Sequence, residues 1–433
     1  MRRNIVHPGA SELTYEIREI VAVGERLKTL GVPVYWENIG DPIAKGRQMP
    51  QWIKDIVADL VANDDSSWGY SPTKGILATR QFIANERNAE GGVQITPDDI
   101  LFFNGLGDAI QTTFMYLHSS ARVLGPSPAY PAHSSAEGAH AKSEHLTYDL
   151  LPENGWLPDL EDLRNKVKYN PNIAGILIIN PDNPTGTVYP EETLRGMIDI
   201  AREFDLFVIS DEIYSRITYG ETKMVPLSAV LGDVPGMAMK GLSKEIPWPG
   251  SRCGWVEFYN KNVDSNFAKF AKSLVDAKQL EVCSTTLPQK ALPRIFAHSN
   301  YQAHLAGVAD EYAGKADFLA DAFADIDGLT LVKPQGAFYA SPTFDAGKLR
   351  NDQTLPIADE AVRAYIEEIV TNVPNDKRFV YYLLGATGIC VVPLSGMNSR
   401  LEGFRMTLLE PDEEVFADIV ERLATAIKEY LES

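Results

Sequence analysis

The spacing of apolar positions changes character along the chain. Ile17, Ile20, Val21, Val23, Leu27 and Leu30 recur at helical spacing, and Gly31 supplies a stop. Val34-Tyr-Trp-Glu-Asn-Ile-Gly-Asp-Pro42 reads as a short strand running into a turn. Helical patterns return over 51–62 and 76–85, separated by the aromatic loop Trp68-Gly-Tyr-Ser-Pro-Thr-Lys-Gly75. From about residue 98, short apolar runs alternate with helical stretches. The run Ile173-Ala-Gly-Ile-Leu-Ile-Ile179 has no polar break, as a strand covered on both faces of a parallel sheet requires. Residues 263–325 are helical, and 303–323 is long enough to bridge two domains. The last hundred residues mix short strands (329–332, 337–341, 389–392, 403–408) with helices near 357–370 and 412–431, an α+β pattern.

A chain of 433 residues exceeds one compact core. The expected division is a segment 1–45 that joins a small domain, a large domain 46–300, and a small α+β domain 301–433. A net charge of −19 argues against nucleic acid and against an anionic membrane surface. The cysteines, Cys253, Cys283 and Cys390, are odd in number and far apart, which fits a reducing cytosol. None has a Cys or His partner at metal-ligand spacing, so no metal is expected. Met1-Arg-Arg-Asn4 is basic, but no apolar stretch of signal-peptide or membrane-span length follows. The expected location is the cytoplasm.

The chemistry centres on Lys240-Gly-Leu-Ser-Lys-Glu-Ile-Pro-Trp-Pro-Gly-Ser-Arg-Cys-Gly-Trp255. A lysine just off a buried strand, here Lys244, loses its proton more easily because desolvation disfavours the ammonium. Its neutral amine can then form a Schiff base with an aldehyde. Arg252, eight residues on, suits a phosphate. An aldehyde and a phosphate together suggest pyridoxal phosphate; a solvated surface lysine is the plainer alternative. Other polar residues stand at successive strand ends. Asn104-Gly-Leu-Gly-Asp108 leads from a strand into a helix, where backbone N–H groups favour an anion. Tyr130 stands between prolines on a loop, placed to stack on a flat ring. Asn180-Pro-Asp-Asn-Pro-Thr-Gly186 follows a buried strand, and Asp211-Glu-Ile-Tyr214 ends the next. Asp211 also suits a helix N-cap, and Gly40 a plain turn. The rings of Trp52, Trp156 and Trp248 read as packing.

As a set, Asn180–Gly186, Asp211–Tyr214, Ser243-Lys244, Arg252–Trp255 and Phe404-Arg-Met-Thr407 resemble the pyridoxal-phosphate aminotransferases of class I/II across nearly the whole chain. The resemblance implies the fold-type I, aspartate-aminotransferase architecture: an α/β large domain with a mostly parallel seven-stranded sheet flanked by helices, plus a smaller α+β domain. Gly388–Gly396 and Phe404–Pro411 look most like the alanine aminotransferase branch, with weaker support from Asn38-Ile-Gly-Asp41 and Tyr15-Glu-Ile-Arg18.

The resemblance also implies roles. Lys244 would carry the cofactor aldehyde and later shuttle a proton, and Asp211, with His133 behind it, would pair with the pyridine nitrogen. Asn183 and Tyr214 would bond the ring's phenolic oxygen, and Tyr130 would stack on the ring. Arg252, Ser243 and the backbone of Gly105, Leu106 and Gly107 would hold the phosphate. Tyr70 would reach the phosphate of a neighbouring subunit, so a homodimer with a shared site is expected. Arg405, with Asn183 and the Gly40 backbone, would clamp the substrate carboxylate; Arg400 is a weaker candidate. Two positions depart from the family pattern. Gly241 replaces a hydroxyl residue three before the lysine, and Leu106-Gly107 replaces an alanine or serine.

The implied activity is ping-pong transfer of an amino group, with alanine and 2-oxoglutarate as the leading pair. No arginine lies between Leu274 and Lys290, where dicarboxylate-specific relatives carry one, which leans away from strict aspartate specificity. Aspartate or aromatic donors, and a C–S β-lyase or cyclopropane-forming synthase with the same cofactor, remain alternatives. A DNA-binding regulator of this fold needs a basic helix-turn-helix domain, for which the short amino-terminal segment leaves no room.

Overall fold

The computed structural model describes residues 5–13 and 16–433, with the backbone alone of residue 16. The basic start at 1–4 and Tyr15 lie outside the described residues.

One sheet organises the middle of the chain. Its strands are β1 (Ile100–Phe103), β2 (Arg122–Ser127), β3 (Thr147–Leu151), β4 (Leu157–Pro158), β5 (Ile173–Ile179), β6 (Phe207–Asp211), β7 (Gly236–Gly241) and β8 (Gly254–Tyr259). They lie in the order β1-β8-β7-β6-β5-β2-β3-β4. The five central strands, β7 to β3 in that order, pair in parallel. β8 runs antiparallel to both β7 and β1, and β4 closes the far edge antiparallel to β3. The sheet thus has eight strands, not seven. The extra one, Leu157–Pro158, is too short to show a period, and its proline is tolerated because it lies on an edge.

The pairing fixes which ends come together. Phe103 and Gly241 both face Gly254, and Asp211 pairs with both Ile179 and Met239. The carboxyl ends of β1, β5, β6 and β7 and the start of β8 therefore share one edge, where α/β sheets take ligands. The two faces of the sheet are covered separately. Ile176, Ile178 and Val208 pack on one side with Trp156 and Leu163, and Leu177, Ile179 and Ile209 on the other with Ile110 and Phe114. This is why Ile173–Ile179 carries no polar position.

A third core draws on both chain ends. It joins Ile20 and Leu27 of the helix Glu16–Thr29 to Tyr312 of the helix Tyr301–Phe323 and to the buried side of Glu413–Glu432. Three short antiparallel strands lie within it: β9 (Tyr339–Ala340), β10 (Val392–Pro393) and β11 (Phe404–Thr407), in the order β9-β11-β10. The expected strand at 34–42 shrinks to Tyr35–Trp36, paired in parallel with Ile389–Cys390. The rest of that stretch is a loop toward the large sheet. The helix Asn375–Thr387 was not apparent in the pattern, because its consecutive residues Phe379 to Leu384 are all buried. A helix covered nearly all round has no 3.6-residue stripe.

Candidate active site

Lys244 stands three residues beyond the end of β7, half-buried, and its Nζ donates to the carbonyl of Gly40 at 2.6 Å. Its pKa is lowered to about 8. Burial is the main cause; Arg405 and Arg252 lower it further, while Asp41 and Asp211 oppose them. The fields of three sequence-predicted residues, Asp211, Arg252 and Arg405, thus converge on this amine. Ser243 beside it is also half-buried.

Asp211 ends β6 with 3% of its surface exposed. One carboxylate oxygen accepts from the N–H of Ile213 at 3.2 Å across a turn; no helix follows there, so Asp211 is not the helix N-cap that the sequence also offered. The other lies 2.9 Å from Nε2 of the buried His133. His133 sits in the first turn of the helix Pro131–Ala141, and Tyr130, just before that helix, meets its ring edge-on at 6.4 Å. Tyr214 is buried, and its hydroxyl lies 3.0 Å from that of Tyr339. Burial and then the neighbouring Tyr339 push the Tyr214 phenol up.

Arg405 lies on β11 with 2% exposure. Nη1 faces Asn183 Oδ1 at 3.4 Å, Nη2 donates to the Asn38 carbonyl, and the guanidinium stands 4.7 Å above the Tyr339 ring centre. Among the described residues, Nε is buried without a partner, as are both side-chain polar atoms of Asn38. Buried donors are normally paired, so orphans gathered at one place mark where a polar ligand belongs. Gly40 completes this end: a methyl group there would fall 2.1 Å from the Tyr339 hydroxyl, so only glycine brings the backbone this close.

The Gly105 end is built from backbone. Gly105 has φ +81°, and a methyl group on it would fall 2.5 Å from Arg252 Nη2. The helix Leu106–Met115 starts here, with its first N–H groups unpaired by the helix itself. Leu106 is half-buried, and a side chain at Gly107 would meet open space. Arg252 is exposed; it donates to the carbonyls of Pro249 at 3.1 Å and Asn104 at 3.4 Å, and has no carboxylate at ion-pair distance among the described residues. Behind the loop, Asp108 accepts from the Asn104 N–H and from Lys278, each within 2.9 Å, and Lys278 also pairs with Glu281.

Two candidates stand apart from this group. Tyr70 is 87% exposed, near the also exposed Trp68, and makes no contact with the Lys244 group among the described residues. Arg400 is exposed. Trp156 is fully buried, Trp52 stacks on His298 at 4.6 Å, and Trp248 packs against the core. Tyr339 and Lys278 escaped the sequence reading, and Asn38 entered it only as part of a motif, without a role. Only the position of Tyr339 in a short apolar strand could have drawn attention to it. A cavity of about 860 Å³ opens beside Gly107 and Tyr130, with Phe114, Ala136 and Arg18 on its walls. No His, Cys, Asp and Glu among the described residues gather as a metal site, and no described helix is long and apolar enough to cross a membrane.

Known proteins are similar to this chain in sequence and fold. The family model "Aminotransferase class I and II" matches residues 38–423. An uncharacterized aminotransferase of Methanocaldococcus jannaschii is 50% identical over 433 residues, all of both chains. The glutamate-pyruvate aminotransferase AlaA of Escherichia coli is 30% identical over 79% of this chain and 83% of its own. The solved alanine aminotransferase of Pyrococcus furiosus superposes with a TM-score of 0.83 at 27% identity, over 99% of this chain and 100% of its own. With a family model that covers residues 38–423, this chain belongs to the class I and II aminotransferases.

Proposed function

We propose that this aminotransferase holds pyridoxal 5'-phosphate on Lys244 and moves an amino group from alanine to 2-oxoglutarate, in the cytoplasm, as a homodimer. One observation carries the reading: a half-buried lysine with a pKa of about 8, under the combined fields of Asp211, Arg252 and Arg405. The residues present fit the cofactor. Arg252 has only carbonyl partners among the described residues, beside a glycine backbone that a side chain would block. That is a cradle for a phosphate. Asp211, buried and backed by His133, suits a protonated ring nitrogen. Asn183 and Tyr214 reach the same region from the ends of β5 and β6. When bound, the cofactor supplies an electron sink that stabilises negative charge at the substrate Cα.

The protein's part is to bind, orient and move protons. Arg405 grips the substrate carboxylate through its guanidinium, held on one side by the Asn38 carbonyl and Asn183 and below by Tyr339. The carboxylate so fixed sets the Cα within reach of Lys244. A lysine of pKa about 8 is partly neutral at pH 7, so its amine could take the Cα proton and return it two bonds away, on the carbon beyond the transferred nitrogen. Donor and acceptor would use the same clamp in turn, and because the amino group would stay with the cofactor between them, the kinetics would be ping-pong. The family resemblance and the relatives named for alanine support the substrate pair. A dicarboxylate acceptor needs a second cation near the site, and Arg18 stands on the wall of the adjoining cavity. Exposed Tyr70 and Trp68 support the dimer, since a second copy would cover them.

The test is direct. Protein loaded with pyridoxal phosphate is given single amino acids without any oxo acid, and the cofactor absorbance is followed. Alanine and glutamate should each convert it to the pyridoxamine form, while Lys244→Ala loses the lysine-linked band. Conversion by aspartate or an aromatic amino acid, and not by alanine, overturns the substrate pair. Pyruvate and ammonia from a β-substituted substrate make it a lyase.

A further inference from the structure

Tyr339 lies between Tyr214 and Arg405. It is 2% exposed, on β9, paired with Thr407 beside Arg405. Its hydroxyl lies 3.0 Å from the Tyr214 hydroxyl, its ring lies 4.7 Å under the Arg405 guanidinium, and Gly40 is packed against its oxygen. The two tyrosines also meet edge to face, 5.7 Å apart at 85°. Asn183 meets Arg405 directly, whereas Tyr339 contacts both Tyr214, assigned to the cofactor's phenolic oxygen, and Arg405, assigned to the substrate's carboxylate.

We infer that Tyr339 is a positioning residue with two separable duties: its hydroxyl tunes the proton affinity at the cofactor through Tyr214, and its ring sets the substrate clamp through Arg405. The inference rests on the functional reading above. A phenol has one proton to give. If Tyr214 gives its proton to the phenolic oxygen, the bond between the two hydroxyls must run from Tyr339 to Tyr214. A hydroxyl that accepts one hydrogen bond donates a stronger one. The phenolic oxygen, held more firmly, draws less on the proton it shares with the lysine-derived nitrogen, and that proton leaves at lower pH. The ring duty is independent. The flat face of Tyr339 attracts the buried guanidinium and keeps it from turning away. A phenylalanine keeps the second duty and loses the first.

The experiment is a pH titration of cofactor absorbance on loaded protein, with KM measured for donor and acceptor, for Tyr339→Phe, Tyr339→Leu, Tyr214→Phe and the double Phe variant. Tyr339→Phe should raise the titration midpoint by about half a unit, the scale of one neutral hydrogen bond, with KM within about twofold of the parent. Tyr339→Leu should show the same rise and, in addition, a KM about tenfold higher for both substrates, the scale of a buried cation–π contact. In the Tyr214→Phe background, Tyr339→Phe should add nothing, since the route is gone. An unchanged midpoint in Tyr339→Phe, or a shift that persists without the Tyr214 hydroxyl, overturns the inference alone. Parent protein that takes up no pyridoxal phosphate overturns it together with the functional reading.

Discussion

Two arginines mark two ends of the site, and the chain builds those ends differently. Arg405 is almost fully buried, fixed by a carbonyl, an amide and an aromatic face, and its surroundings come from residues 38, 183 and 339. Arg252 is exposed, bonded among the described residues only to two carbonyls, and its surroundings are the backbone of Asn104–Gly105 and Pro249. The contrast fits two kinds of ligand. A substrate that enters and leaves at each half-turnover needs a clamp whose geometry is set beforehand, because ordering it anew would cost affinity every time. A resident phosphate can help to order its own cradle.

The comparison breaks if the two arginines tolerate the same change equally. Arg405→Lys should lower kcat/KM for alanine about a thousandfold, because a lysine cannot make the planar pair of bonds or lie flat on Tyr339. The affinity for pyridoxal phosphate should stay within about twofold, which titration of the apoprotein checks. Arg252→Lys should do the reverse. Cofactor affinity falls about tenfold, and the loaded enzyme keeps kcat/KM within about threefold, since a point charge still serves a phosphate. A smaller effect tests whether the glycine loop is held from behind. Lys278→Met leaves Asp108 and Glu281 without their shared partner. Cofactor affinity should fall about threefold, with no change in substrate KM on the loaded enzyme.

The same contrast explains what could be read from the sequence. Strand-end motifs were legible because they are contiguous. Asn180–Gly186, Asp211–Tyr214 and Lys244 each follow a buried strand, and the parallel pairing of β5, β6 and β7 alone brings them to one edge. The Arg405 clamp was only half legible. Its arginine stands out among Phe404, Met406 and Leu408, but Asn38 is hundreds of residues away, and Tyr339 looks like any aromatic in a short strand. Such partners are joined by β9 pairing with β11, which two residues of pattern do not reveal. Lys278 was hidden for another reason. A lysine in the last turn of a helix ordinarily reads as solvated, and only its 1% exposure marks it as part of the cradle.

Lys244 feels both arginines, so it can measure the difference between them. Its pKa is held at about 8, below the ordinary 10.5, by burial first, with Arg405 a larger influence than Arg252. Below about pH 8 the folded protein therefore carries an ammonium in a place that disfavours charge. Between about 8 and 10.5 the unfolded chain binds the proton that the folded one has lost, so the stability of cofactor-free protein should rise with pH across that window. Lys244→Met should remove the penalty and raise the stability of cofactor-free protein at pH 7 by about 1–2 kcal/mol, as thermal unfolding would read. If Lys244 takes up the cofactor as proposed, uptake needs the neutral amine, so its rate should climb with pH and level off above about 8. Taking away a cation lets the ammonium survive to higher pH. Arg405→Met should move the midpoint of that rate profile upward, and Arg252→Met should move it upward by less, although the second variant binds the phosphate more weakly at every pH. The midpoint and the plateau separate the two effects. If Arg252→Met shifts the midpoint more, the amine lies closer in energy to the phosphate cradle than to the carboxylate clamp, and the division between a fixed end and a pliant end fails.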